Sequence, residues 1–171
     1  MPTYIALLRA VNVGGTGKLP MADLRALAAD AGCTDVRTHI QSGNLVAART
    51  GTARQCQAAL AAALAGRMGK PVGVLVRTAA EVEATLAAKP FPEAPPERVL
   101  VLFLDAAPAP DALAGWRIPG GERLAVVGRE LFIHFPDGMG TSRLKIPFAD
   151  VGTGRNLNTV RTLLAIARGA A

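Results

Sequence analysis

The chain has 171 residues, 50% of them hydrophobic and 19% charged, with a mean hydropathy of +0.29. That balance excludes an intrinsically disordered chain, which needs low hydrophobicity and high charge. The apolar stretches at residues 58–65 and 99–104 fall far short of the ~20 residues that a spanning helix needs, which excludes a helical membrane protein.

The formal charge of +6 is unevenly spread: residues 1–80 hold nine Lys/Arg and three Asp/Glu, 81–150 hold seven and ten, and 151–171 hold three and none. A face built from the two ends would attract phosphate, nucleic acid or acidic partners. The alternative is ordinary solvated surface in a chain where Arg outnumbers Lys fifteen to four. Met1 to Ile5 show no basic region ahead of an apolar one, so no secretory leader is expected. Cys33 and Cys56 are too few and too far apart for a disulfide scaffold or a zinc site. The expectation is a soluble, reduced, cytoplasmic domain with no membrane segment, no metal and no cofactor.

Residues 4–11 form an apolar, β-branched run and read as a strand. A helix follows over 20–31, with Met21, Leu24, Leu27, Ala28 and Ala31 at helical spacing, Pro20 in its first turn and Gly32 as its stop. Residues 36–41 and 44–48 are two short strands about Ser42-Gly43. Thr52 and Gln55 make a capping box that opens a second helix, with Cys56, Leu60, Ala63 and Leu64 on one face. Residues 72–77 are a fourth strand. The order β-α-β-β-α-β is that of the split βαβ, or ferredoxin-like, arrangement.

A second capping box, Thr78 with Glu81, opens a helix through Lys89. The proline-rich stretch 90–96 must be a connector. Residues 98–104 read as a central strand, 111–116 as a short helical piece, and 124–127 with 130–135 as a hairpin about Gly128-Arg129. The last helix is placed at 156–168, with Leu157, Val160, Leu163, Leu164 and Ala167 as its apolar stripe and Arg161 and Arg168 exposed. The chain thus reads as an α+β protein of two ferredoxin-like halves with antiparallel-containing sheets. Residues 1–78 form the first half. Residues 79–171 form a second, less complete half, whose C-terminal helix packs on the first.

Three polar motifs carry the candidate chemistry. Asn12-Val13-Gly14-Gly15-Thr16-Gly17-Lys18 joins the first strand to the first helix, where glycines let backbone N–H groups approach an anion. It is not a Walker A loop, because Asn12 replaces the first Gly and Leu19 the magnesium-binding Ser/Thr. The alternative is a tight connection. Gln41, Ser42 and Asn44 around Gly43 offer donors and acceptors, or plain turn chemistry. Arg155, Asn156 and Asn158 open the last helix. Asn156 or Thr153 can cap it, and a cation there is disfavoured by the dipole unless an anion or carboxylate meets it, or unless Arg155 points to solvent. The segment 137–145, Gly-rich with Arg143 and Lys145, is a further anion candidate. His39 and His134 read as half-buried strand residues and no nucleophile motif is present. Seven aromatic residues are too few for an RNA-recognition sheet surface.

The runs Tyr4-Ile5-Ala6-Leu7-Leu8-Arg9-Ala10-Val11-Asn12-Val13-Gly14-Gly15, Val36-Arg37-Thr38-His39-Ile40-Gln41-Ser42-Gly43-Asn44 and Arg155-Asn156-Leu157-Asn158-Thr159-Val160 resemble the bacterial domain of unknown function 1697 family over essentially the full chain. The resemblance implies a compact bacterial α+β protein with ferredoxin-like repeats and implies no activity. Leu157 stands where the family usually has an aromatic, and Thr153-Gly154 where it usually has Thr-Thr. The family's motifs coincide with the three polar candidates. Convergence of Arg9, Asn12, Gly14, Gly15, Lys18, Gln41, Ser42, Asn44, Arg155, Asn156 and Asn158 is expected to form a binding site for a phosphate-bearing small molecule or nucleic acid. A small-molecule enzyme and a protein-interaction scaffold are the alternatives.

Overall fold

The structure is a computed structural model that describes residues 1–12 and 18–169. The chain divides into two compact units, Met1–Glu83 together with Thr162–Ala171, and Ala84–Arg161.

In the first unit the strands are β1 (Thr3–Leu8), β2 (Thr34–Thr38), β3 (Asn44–Ala48) and β4 (Val74–Thr78), with helices α1 (Met21–Asp30) and α2 (Ala53–Met68) in the two crossovers. The sheet order is β2-β3-β1-β4 and every pairing is antiparallel. Alternation along β1 sends Tyr4, Ala6 and Leu8 to one face. There they join Leu45 and Ala47 from β3 and Val74 and Val76 from β4 against Leu24 and Ala28 of α1 and Cys56, Leu60 and Leu64 of α2. Both helices therefore lie on one face, as a ferredoxin-like unit requires. Burying each such Leu contributes roughly 1.5–3 kcal/mol, so the two amphipathic stripes hold the helices to the sheet.

The capping boxes form as the spacing predicts. Gln55 N–H donates to Thr52 Oγ1 (3.2 Å) and Thr52 N–H to Gln55 Oε1 (2.8 Å). Thr78 N–H donates to Glu81 Oε2 (2.8 Å) and Glu81 N–H to Thr78 Oγ1 (3.1 Å), opening α3 (Ala79–Ala88). Strand β2 begins and ends earlier than the apolar run suggested. A register shift lies between Thr34 and Arg37, and Ile40 at φ +50° turns the chain out of the strand.

The second unit repeats the plan. Its strands β5 (Val99–Phe103), β6 (Arg123–Val127), β7 (Glu130–His134) and β8 (Thr153–Asn156) stand in the order β6-β7-β5-β8, the first sheet's order with every number raised by four. Strand β5 is central, as expected. The crossovers differ. Between β5 and β6 the expected helical piece is a series of tight turns, with N–H groups of Ala112, Ala114 and Trp116 donating three residues back. Pro108, Pro110, Pro119, Pro136 and Pro147 interrupt both crossovers, which removes donors and blocks α-helix. Leu113, Leu144, Ile146 and Phe148 from these irregular segments still pack on Leu100, Leu102, Leu131 and Ile133 of the sheet.

Strand β8 escaped the sequence reading. Its flanking and internal glycines look like turn residues, yet they are there for space. A Cβ on Gly152 would stand 2.8 Å from Leu102 Cγ, and one on Gly154 3.1 Å from Leu100 Cδ1. Helix α4 (Leu157–Ala167) follows directly. Asn156 caps it, its Oδ1 accepting from Thr159 N–H at 2.9 Å. The buried stripe of α4 is Val160, Leu163 and Ile166, with Leu157, Leu164 and Ala167 only half-buried; the expected register was off by choosing Leu164 over Ile166. Arg161 and Arg168 are exposed.

Candidate functional site

The first two polar motifs meet at the end of β1. Leu8 N–H donates to Gly43 O and Arg9 N–H to Gly73 O, each at 2.8 Å, so the β2–β3 connection and the start of β4 flank the chain as it leaves the sheet. Three non-glycine residues here hold positive φ: Ala10 (56°), Asn12 (55°) and Ile40 (50°). The left-handed conformation costs a non-glycine residue roughly 1–2 kcal/mol, less for Asn, and such strain collects at functional sites.

Asn12 is the organiser of this corner. Its Oδ1 accepts from Leu19 N–H (2.8 Å), and its Nδ2 donates to Leu19 O (2.8 Å) and to Gln41 O (2.9 Å). The side chain therefore imitates a strand pairing with fully buried Leu19 and ties residues 12, 19 and 41 together. Gly43, at φ +82°, lets the connection press against β1: a Cβ there would lie 2.6 Å from Val11 Cγ2 and 2.8 Å from Leu8 Cβ. Asn44 is fully buried, and its Nδ2 donates to His39 O and Ser42 Oγ, both at 2.9 Å.

The candidate residues thus divide by what their polar groups do. Asn12, Ser42 and Asn44 hold the corner's shape. Lys18 and Gln41 are exposed at its rim, and Arg9 is half-buried with its aliphatic stem against Gly73. Gly14 and Gly15 lie outside the described residues. Arg155, Asn156 and Asn158 belong to β8 and α4, in the second unit. Arg155 stands opposite Val101 in the β5–β8 ladder. Its side chain is buried rather than turned to solvent, with Nη1 donating to Thr153 Oγ1 and Gly154 O at 2.8 Å each. Burial pushes its pKa down to about 10. Asn156 serves as the α4 cap, and Asn158 is exposed in the first turn.

Elsewhere the sequence reading missed a pairing. Cys33 and Cys56, 23 positions apart, bring their thiols into hydrogen-bonding contact in the first core; both are free and buried. Desolvation raises both, Cys56 to about 11, against the opposing pull of Arg49, so they remain protonated and unreactive. The cue was Cys56 on the inward stripe of α2 facing the strand that follows α1. His134 accepts from Arg123 (Nε to Nδ1 3.2 Å), and Arg123 in turn pairs with Glu93 and covers the Phe91 ring at 4.6 Å. Desolvation first, and the Arg123 charge second, lower His134. Among the described residues no group of three His, Cys, Asp or Glu side chains could hold a metal ion, and no helix is long and apolar enough to cross a membrane.

Two sheets of identical strand order in one chain, each followed by a helix, define a tandem ferredoxin-like α+β protein. The model of the family described as protein of unknown function DUF1697 matches residues 1–132, and the chain belongs to that family. The motif at 155–160 lies beyond the matched span. A conserved bacterial protein from Streptococcus pneumoniae has a similar solved structure, with a TM-score of 0.80 at 22% identity, covering 97% of this chain and 98% of that one. That likeness concerns the fold. A comparison with curated proteins gives no significant match.

Proposed function

We propose that this protein is a binding module for a phosphate-bearing ligand, held at the Asn12 corner of the first unit. The observation that supports it is the Asn12 clamp, which ties Asn12 to Leu19, on either side of residues 13–17 in sequence, and to Gln41. Three of those five residues are glycine, the composition that lets backbone N–H groups surround an oxyanion. Lys18 stands exposed at the segment's far end, and Arg9 leaves β1 at its near end.

The six described candidates here, Arg9, Asn12, Lys18, Gln41, Ser42 and Asn44, include two cations and no carboxylate. Lys18, exposed at the rim, offers an anionic ligand a charge-assisted hydrogen bond. Asp23, in the first turn of α1, is already paired with Arg67 at 3.0 Å, so its charge is offset from a neighbouring group. Among the described residues of the β2–β3 connection His39 is the one acid–base side chain, and its backbone is engaged with Asn44. Binding, rather than proton transfer or nucleophilic attack, is what such a set supports.

Titration calorimetry with pyrophosphate and with ATP as probes tests the reading. Lys18→Ala should weaken binding at least tenfold while leaving the urea midpoint unchanged. Failure of both probes to bind at millimolar concentration, or equal affinity in the variant, refutes it.

A further inference from the structure

In the second unit, Gly115, Trp116, Arg117, Pro119, Arg143 and Lys145 line an open cavity of about 650 Å³, within the range of small-molecule sites. Arg117, Arg143 and Lys145 are exposed, and among the described residues no carboxylate pairs with any of them. Residues 81–150 carry seven Lys/Arg against ten Asp/Glu, so three of those seven cations have gathered on one wall, against the segment's own balance. Two acids, Asp137 and Glu122, line an adjoining cavity that shares Pro119 and Arg143, and Glu122 is engaged otherwise. Its carboxylate accepts from Ser142 Oγ–H (2.6 Å) and Gly120 N–H (2.9 Å).

Trp116 is the chain's single tryptophan. It is 38% exposed, although a large apolar side chain in a folded unit ordinarily hides. Its Nε1–H donates to Lys145 O at 2.8 Å, which fixes the indole beside the cationic wall and consumes its only polar group. What the indole offers to the cavity is therefore aromatic carbon. Oriented aromatic surface next to unpaired cations is the combination that stacks a base and holds its phosphate.

From this juxtaposition we infer that the Trp116–Arg117–Arg143–Lys145 cavity is a second binding site, independent of the Asn12 corner, for a nucleobase joined to phosphate. The base stacks on Trp116 and the phosphate oxygens meet the two arginines and Lys145. The ligand chemistry is shared by a free nucleotide and by a single-stranded nucleic acid.

Because Trp116 is unique, intrinsic fluorescence of the full chain reads this site directly. ADP, a single-stranded dT12 oligonucleotide, adenosine and inorganic phosphate are titrated separately, with absorbance correction. Quenching by ADP or by dT12 is expected, and whichever of the two binds more tightly identifies the source. For dT12, engagement of three cations gives a slope of log affinity on log salt of about −2. Arg143→Gln/Lys145→Gln should weaken the quenching at least tenfold. Trp116→Ala, followed by calorimetry, should lose roughly 10–100-fold, the usual worth of one stacked base. Lys18→Ala should leave the quenching unchanged, which separates this site from the Asn12 corner. No quenching by ADP or dT12 at millimolar base concentration overturns the inference. So does inorganic phosphate binding as tightly as ADP, or unchanged affinity in Arg143→Gln/Lys145→Gln with an unaltered urea midpoint.

Discussion

Replacing Gly43 by alanine isolates what holds the Asn12 corner together. Two separate costs are expected. At φ +82° a non-glycine residue loses roughly 1–2 kcal/mol to its own backbone. The added Cβ would also stand 2.6 Å from Val11 Cγ2 and 2.8 Å from Leu8 Cβ. Neither is the free end of a flexible side chain, so β1 and the connection must separate, and overpacking of this kind costs roughly 1–3 kcal/mol. The sum is about 2–5 kcal/mol, a large part of the 5–15 kcal/mol that a domain commonly has. Gly69→Ala is the matched control: Gly69 caps α2 at φ +69° with nothing within 4 Å of its notional Cβ. It should lose only the backbone part. Both substitutions reduce unfolded-state entropy alike, so the difference between them reports the close approach alone. Urea unfolding of the two variants, compared at equal m-value, should show Gly43→Ala worse by roughly 1–3 kcal/mol. Equal losses would refute the reading that the connection is wedged against β1.

Asn12→Ala should cost about 1–3 kcal/mol, because buried Leu19 is left with an N–H and a carbonyl that water reaches poorly; Asn12→Asp should not rescue it, since a carboxylate cannot donate to the carbonyls of Leu19 and Gln41. Urea midpoints of both variants check this. Cys56 gives a pH dependence of known sign. Its folded pKa is raised from 9.0 to about 11, so the stability it contributes is fully present below pH 9 and is lost as pH rises towards 11. That loss amounts to roughly 2–3 kcal/mol. Cys56→Ala should therefore narrow its deficit against the parent chain as unfolding is measured from about pH 8.5 to about pH 10.5.

The first unit was legible because its rules are local. Two periods of hydrophobic spacing, the Thr52–Gln55 capping box and the Ser42-Gly43 turn each point to one element, and six elements in that order leave few topologies. The second unit was harder because proline had removed its helices while their apolar residues, such as Leu113 and Ile146, kept their places against the sheet. Strand β8 was invisible for a different reason: Gly152 and Gly154 signal a turn locally, and only their tertiary neighbours Leu100 and Leu102 explain them. At the candidate corner, the residue types were found but not their division of labour. Asn12 and Asn44 bind nearby backbone, and Ser42 accepts from Asn44, which no spacing announces. Trp116 passed unnoticed because its partner Lys145 is 29 residues away.

The Asn12 clamp also bears on how this fold can be changed. Since one side chain grips both the N–H and the C=O of Leu19, the exit from β1 and the approach to α1 are fastened at a single point. The places of β1 and α1 are thereby held from Asn12 and Leu19 themselves. Doubling the length of a flexible connection costs only about 0.6 kcal/mol of closure entropy. The segment between Asn12 and Leu19 is accordingly a graft point, where foreign recognition sequences of varied length can be spliced while the scaffold beneath keeps its register.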